Sequence, residues 1–135
     1  MITKRMVVFN LLASSLILDE WPAFAAPKRS RAMAQLDPDN DGTVDLDEAK
    51  KAASALFDKL DRDRDGTLDK VEMRGRLTAA EIASADPDKD GTLSKAEYLK
   101  VVEDRFKAAD PDNDGTLDEK ELRSGAGQKL LRLLI

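Results

Sequence analysis

The chain contains no cysteine and no histidine, and aromatic residues make up only 4% of it. Without cysteine it can form no disulfide, whatever compartment it enters. Without either residue it lacks the thiolate and imidazole ligands that zinc and copper sites use. Nucleophilic mechanisms built on histidine or cysteine are excluded for the same reason. No glycine-rich stretch resembles a phosphate-cradling loop. Long apolar runs are also scarce: the longest, Met6–Leu18, has thirteen residues, against the roughly 20 needed to cross a bilayer. That run follows the basic pair Lys4-Arg5 and precedes Ala23-Phe24-Ala25, an A-x-A cleavage pattern. Residues 1–25 therefore read as a signal peptide that directs export and carries away Trp21, the single tryptophan. The expected mature chain, residues 26–135, is one soluble domain with no membrane association after cleavage.

Acidic residues, in contrast, are abundant and grouped. Four twelve-residue segments, Asp37–Glu48, Asp61–Glu72, Asp86–Glu97 and Asp110–Glu121, each read D-x-D-x-D-G-x5-E. This is the EF-hand pattern for an oxygen-seeking cation. In loop 1 the candidate ligands are Asp37, Asp39, Asp41, Thr43, Asp45 and Glu48; in loop 2 they are Asp61, Asp63, Asp65, Thr67, Asp69 and Glu72. Loop 3 offers Asp86, Asp88, Asp90, Thr92, Ser94 and Glu97, and loop 4 offers Asp110, Asp112, Asp114, Thr116, Asp118 and Glu121. Hard cations need several oxygens converging from one short segment, with a backbone carbonyl at position 7 and a bidentate glutamate at position 12. Glycine at position 6 allows the sharp turn. Four acidic surface turns would be the bland reading, but four matches in register, each with an aliphatic residue at position 8, make a metal-binding protein the sound one.

The loops begin at residues 37, 61, 86 and 110, a spacing of 24–25. Only twelve or thirteen residues separate consecutive loops, too few for two helices. Ala49–Leu60 and Tyr98–Ala109 are thus predicted as helices shared between neighbouring loops, with apolar stripes Ala52, Ala53, Leu56, Phe57, Leu60 and Tyr98, Leu99, Val102, Phe106, Ala109 facing a core. Between loops 2 and 3 a helix from Val71 should break at Gly75, and the capping box at Thr78 and Glu81 should open another. A rigid shared helix keeps its two loops apart, so the predicted pairs are 2:3 and 1:4, bridged at Val44, Leu68, Leu93 and Leu117. The expected fold is all-α, a compact helical bundle with four EF-hand loops. Gln128–Ile135, beyond Gly125-Ala126-Gly127, should form a short helix docked on that bundle.

Charge is segregated. The loops hold 21 acidic and 6 basic residues, and the rest of the mature chain 4 and 14. Lys50, Lys51, Arg74, Arg76, Lys100, Arg105 and Lys107 lie between the loops without aromatic platforms, which argues for solvated helix faces and against nucleic-acid binding. At position 9, Asp45, Asp69 and Asp118 give three loops a fifth carboxylate, while Ser94 leaves loop 3 with four. A trivalent ion multiplies each ion–carboxylate attraction by about 1.5 relative to a divalent one at equal distance. This tilts such sites toward lanthanides over calcium.

The short spacing, Pro38, Pro87 and Pro111 at position 2, aspartate at position 9 and the export signal resemble the lanmodulin family, periplasmic lanthanide-binding proteins of methylotrophic and related bacteria. Glu97-Tyr98-Leu99, Phe106-Lys107-Ala108-Ala109 and Asp110-Pro111-Asp112-Asn113-Asp114-Gly115-Thr116 are especially similar. The resemblance implies a periplasmic protein that binds lanthanides (La, Nd or similar) selectively over calcium. It also implies a role in lanthanide handling, with transient contact to a lanthanide-dependent enzyme or uptake system. Two departures are Arg62, where the pattern has proline, and Ser94; both fall in the 2:3 pair, which is expected to be the weaker. The rival readings are an exported calcium buffer or calcium-responsive protein, and an interaction module with structural metal. A calmodulin-type sensor needs a methionine-rich groove, and only Met33 and Met73 follow the signal peptide. The clustered carboxylates are all committed to loops, so no enzyme is expected, and the chain is taken as a monomer.

Overall fold

The computed structural model describes residues 29–135; the predicted signal peptide and Trp21 lie outside them. Among the described residues six helices run in chain order: α1 (Arg31–Leu36), α2 (Leu46–Leu60), α3 (Ala79–Ala85), α4 (Lys95–Ala109), α5 (Glu119–Arg123) and α6 (Gly125–Leu131). Four two-residue strands lie inside the loops: β1 (Val44–Asp45), β2 (Thr67–Leu68), β3 (Leu93–Ser94) and β4 (Thr116–Leu117). The fold is the expected all-α EF-hand bundle. No helix among the described residues is long and apolar enough to cross a membrane.

The strands pair as β1 with β4 and β2 with β3, both antiparallel. Val44 faces Leu117 and Leu68 faces Leu93 in the two ladders, so loops 1:4 and 2:3 meet at their position-8 residues as predicted. All four of these side chains are completely buried. The shared helices pack antiparallel: Lys50 near the start of α2 pairs with Glu103 in the second half of α4, and Lys95 at the start of α4 pairs with Asp58 near the end of α2. Between them, Phe57 and Tyr98 meet edge to face, with ring centroids 5.5 Å apart. Met33 and Met73, the two methionines among the described residues, are buried.

The shared helices start earlier than expected, at Leu46 and Lys95. The last three loop positions are already helical because the position-9 residue is the N-cap. Asp45 accepts the Glu48 N–H while the Glu48 carboxylate accepts the Asp45 N–H, a capping box embedded in the loop pattern. Each helix is thus 15 residues, about 22 Å long.

Two further expectations are corrected. No helix forms after Val71. Met73 N–H reaches Asp69 O, Arg76 N–H reaches Met73 O, and Gly75 at φ 81° ends the turn before consecutive helical bonds can accumulate. The Thr78 capping box does open α3. At the C-terminus the glycines lie inside α6, which is capped by Ser124 accepting from Gly127 N–H at 3.0 Å. A Cβ at Gly127 would stand 2.1 Å from Glu121 O and 2.5 Å from Leu122 O, so only glycine lets α6 fold back against α5.

That fold-back places Leu130, Leu133 and Leu134 in the core. Tyr98 Oη donates to Leu133 O at 2.8 Å, Arg105 to Lys129 O at 2.5 Å, and Arg76 to Ile135 O at 2.8 Å. Burial pushes the Tyr98 phenol up to about 12, against the opposing pull of Arg76 and Arg105. The basic residues singled out between the loops are in good part engaged: Lys50 and Lys107 on Glu103, Lys100 on Asp104, Arg105 on Glu81. Gly127→Ala should destabilise the metal-loaded protein by about 3 kcal/mol in denaturant unfolding. Gly125→Ala, whose Cβ meets nothing within 4 Å, should change stability by less than about 1 kcal/mol.

Candidate metal centres

Each loop begins where a helix or turn ends and finishes where one begins. Asp37, Asp61, Asp86 and Asp110 at position 1 are the C-caps of α1, α2, α3 and α4. The carbonyls at a helix C-terminus carry partial negative charge, so each position-1 carboxylate sits where donors or a cation are needed to offset them. The loop is then wound by its own amides. Gly42, Gly66, Gly91 and Gly115 donate to the position-1 carboxylate at 2.7–3.0 Å.

This winding brings positions 1, 3 and 12 together. Carboxylate oxygens of Asp37/Asp39/Glu48, Asp61/Asp63/Glu72, Asp86/Asp88/Glu97 and Asp110/Asp112/Glu121 lie within 4.8 Å of one another in each loop. The other predicted residues have different immediate partners. Asp41, Asp65, Asp90 and Asp114 at position 5 accept both the N–H and the hydroxyl of the position-7 threonines Thr43, Thr67, Thr92 and Thr116 at 2.8–3.1 Å. That contact fixes one oxygen of each position-5 carboxylate and leaves the second. At position 9, Asp45, Asp69 and Asp118 accept the N–H of the position-12 glutamate at 2.8–2.9 Å, as does Ser94 at 3.3 Å. The side chains of Asp45, Ser94 and Asp118 act first as helix caps, while that of Asp69 holds the turn that follows loop 2.

Loop 3 carries the observation that fits an ion most directly. Asp86 is 5% exposed, and its Oδ1, like Oε2 of Glu97, is buried without a hydrogen-bond partner. Burying an unpaired carboxylate oxygen is costly unless a cation completes it. All ligands on offer are oxygens, the donor set of hard cations.

Crowding of like charges shows in the proton affinities. A hydrogen bond to Asp37, Asp86 or Asp110 raises Asp39, Asp88 and Asp112 respectively above the ordinary aspartate range. Burial raises Glu48, with Asp45, Asp39 and Asp37 adding to it.

Several contributors carry no motif signal. Asn40, Arg64, Lys89 and Asn113 at position 4 all lie in the left-handed region, at φ 54–61°. Asparagine tolerates that conformation and hints at it in loops 1 and 4, whereas Arg64 and Lys89 do not. Arg29, eight residues ahead of loop 1, donates to the Asp37 carboxylate and at 2.5 Å to Asn40 Oδ1. Ser30 beside it donates to Glu119 of loop 4 through both its N–H and its hydroxyl, which ties the 1:4 end together.

With that geometry in place, the chain can be set beside known proteins. A model of the EF hand family matches residues 54–77 and 102–126, the stretches that hold loops 2 and 4. Lanmodulin from Methylorubrum extorquens is 56% identical over 62 residues. The chain is lanmodulin-like. The matched stretch covers 44% of this chain and 47% of the relative, so the chain spans about half of that protein's length. The four carboxylate clusters, in loops of EF-hand pattern, have the donor set and convergence to hold metal ions.

Ion binding by the lanmodulin-like loops should release protons below neutral pH. Raised carboxyls such as Asp39 and Asp112 hold protons in ion-free loops to higher pH than ordinary aspartates, and the ion requires them ionised. Calorimetric titrations in buffers of different ionisation enthalpy should therefore show weaker binding and more protons released per ion at pH 5 than at pH 7. Proton release that does not change with pH would contradict this account.

Proposed function

We propose that this protein is an exported, periplasmic lanthanide(III)-binding protein that gains structure on taking up its ions and handles lanthanides for other proteins. The observation that carries the reading is the set of four carboxylate triads, each within 4.8 Å, in loops that place an aspartate at position 9 in three cases of four. In each loop the position-1, -3 and -12 carboxylates hold the ion directly, with the second oxygen of position 5 and the position-7 carbonyl completing the shell. Asp45 and Asp118, as helix caps, and Asp69, at the start of a turn, each keep one oxygen on the amide of the position-12 glutamate and leave their charge close to the ion. Their contribution is thus mainly long-range attraction, which scales with ion charge and favours +3 over +2. The lanmodulin relative and the export pattern at residues 1–25 support the same reading. Calcium is the weaker ion at these sites. Release to a lanthanide-dependent enzyme or uptake system needs only transient contact, and the protein works as a monomer.

The test is a competition titration of La³⁺ against Ca²⁺ followed by far-UV circular dichroism. Helix gain should occur at La³⁺ concentrations far below those of Ca²⁺ that produce it. Asp45→Ser combined with Asp118→Ser should narrow the La³⁺-to-Ca²⁺ affinity ratio by about tenfold or more, since each lost charge costs the trivalent ion more. Serine preserves the cap, as Ser94 does in loop 3, so the folded helices should remain. An unchanged ratio would remove position 9 from the selectivity mechanism. Equal responses to the two ions would leave a calcium-binding protein instead.

A further inference from the structure

The four position-12 glutamates differ in what already occupies their oxygens. Glu48 and Glu121 each accept one backbone N–H, from Asp45 and Asp118, through Oε2. Glu97 accepts the Ser94 hydroxyl through Oε1 and keeps Oε2 buried and unpartnered. Among the described residues only Glu72 has both oxygens engaged by backbone amides. Asp69 N–H reaches Oε2 at 3.0 Å and Arg62 N–H reaches Oε1 at 3.2 Å. The second of these bonds exists because Arg62 stands where loops 1, 3 and 4 have Pro38, Pro87 and Pro111, and proline has no N–H to give. Loop 2 also keeps its position-1 aspartate, Asp61, less buried than Asp37, Asp86 and Asp110.

We infer that the backbone amide of Arg62 sets the affinity of loop 2, making it the last of the four loops to fill. The inference rests on reading the loops as ion sites. A bidentate glutamate must turn both oxygens to the ion, and in loop 2 that turn breaks or weakens a charge-assisted hydrogen bond. The sequence alone points to the whole 2:3 pair as weak. The structure separates its members, because loop 3 holds two buried carboxylate oxygens that lack partners, on Asp86 and Glu97, whereas in loop 2 both oxygens of Glu72 are engaged. Proline at position 2 therefore acts as a withheld donor: it keeps the glutamate free for the ion.

The position-6 glycine amides, each bonded to its own position-1 carboxylate, report the loops separately. The full-length chain is titrated with La³⁺ while the bound-state ¹H–¹⁵N signals of Gly42, Gly66, Gly91 and Gly115 are followed. Gly66 should reach its midpoint at about tenfold higher free La³⁺ than Gly91, equivalent to about 1.4 kcal/mol. Arg62→Pro should close that gap, and Arg62→Gln, which removes the charge but keeps the amide, should leave most of it. In the reciprocal variant, Pro87→Ala, Gly91 should move toward higher La³⁺, and this decides the matter if Arg62→Pro does not fold. Gly66 and Gly91 filling in step, a gap closed equally by glutamine and proline, or an unmoved Gly91 in Pro87→Ala would each overturn the inference. If none of the four glycine signals responds to La³⁺, the reading of the loops as lanthanide sites fails instead.

Discussion

A helix too short to turn back on itself governs this structure. α2 leaves loop 1 and arrives at loop 2 without interruption, and α4 does the same for loops 3 and 4. A stiff rod of about 22 Å keeps its two loops at opposite ends. The partner of each loop must then come from elsewhere in the chain. Laying the two rods side by side in opposite senses supplies it at both ends at once, as β1–β4 and β2–β3. The interior then assembles around Phe57 and Tyr98, and the C-terminal leucines close it. The tightness of the packing follows from the same economy: one face of each rod serves the whole core, so Ala49, Ala53 and Ala109 are fully buried there.

Electrostatics and packing are opposed at the ends of these rods. Four acidic loops are pinned in pairs by apolar residues at position 8, and within each loop the carboxylates of positions 1, 3 and 12 converge to within 4.8 Å. Part of the repulsion is met by local amides and at loop 1 part by the Arg29 guanidinium. Each is a substitute that a bound ion renders unnecessary. In the function proposed above, folding and ion uptake are coupled through the carboxylates themselves, with no separate switch.

The loops, their pairing and the apolar stripes were legible because each rests on a strict local rule: ligand spacing, glycine at position 6, and the length of chain between loops. The Thr78–Glu81 box was legible for the same reason. The start of the shared helices was obscured because residues read as ligands, such as Asp45 and Glu48, double as a capping box, and one pattern masked the other. The turn at residues 70–77 was misread because Val71 and Met73 look helical in isolation, while Gly75 ends the segment within a single turn. Gly127 reads as a helix breaker, yet it is required inside a helix by a close crossing that only the tertiary structure reveals. Arg29 carried no signal at all, since its partner is chosen by proximity after folding.

Followed through space, the order of elements is loop 1, α2, loop 2, the β2–β3 ladder, loop 3, α4, loop 4, and the β1–β4 ladder back to loop 1. The circuit closes. Backbone connects alternate links and strand pairing connects the rest, so no loop is terminal and every loop has two neighbours. In a linear array of EF-hands the loss of an outer unit leaves the others in their pairs. Here a loop that loses its shape opens the circuit. It deprives one neighbour of its ladder and the other of a fixed helix end, so a local defect is felt in both directions around the ring.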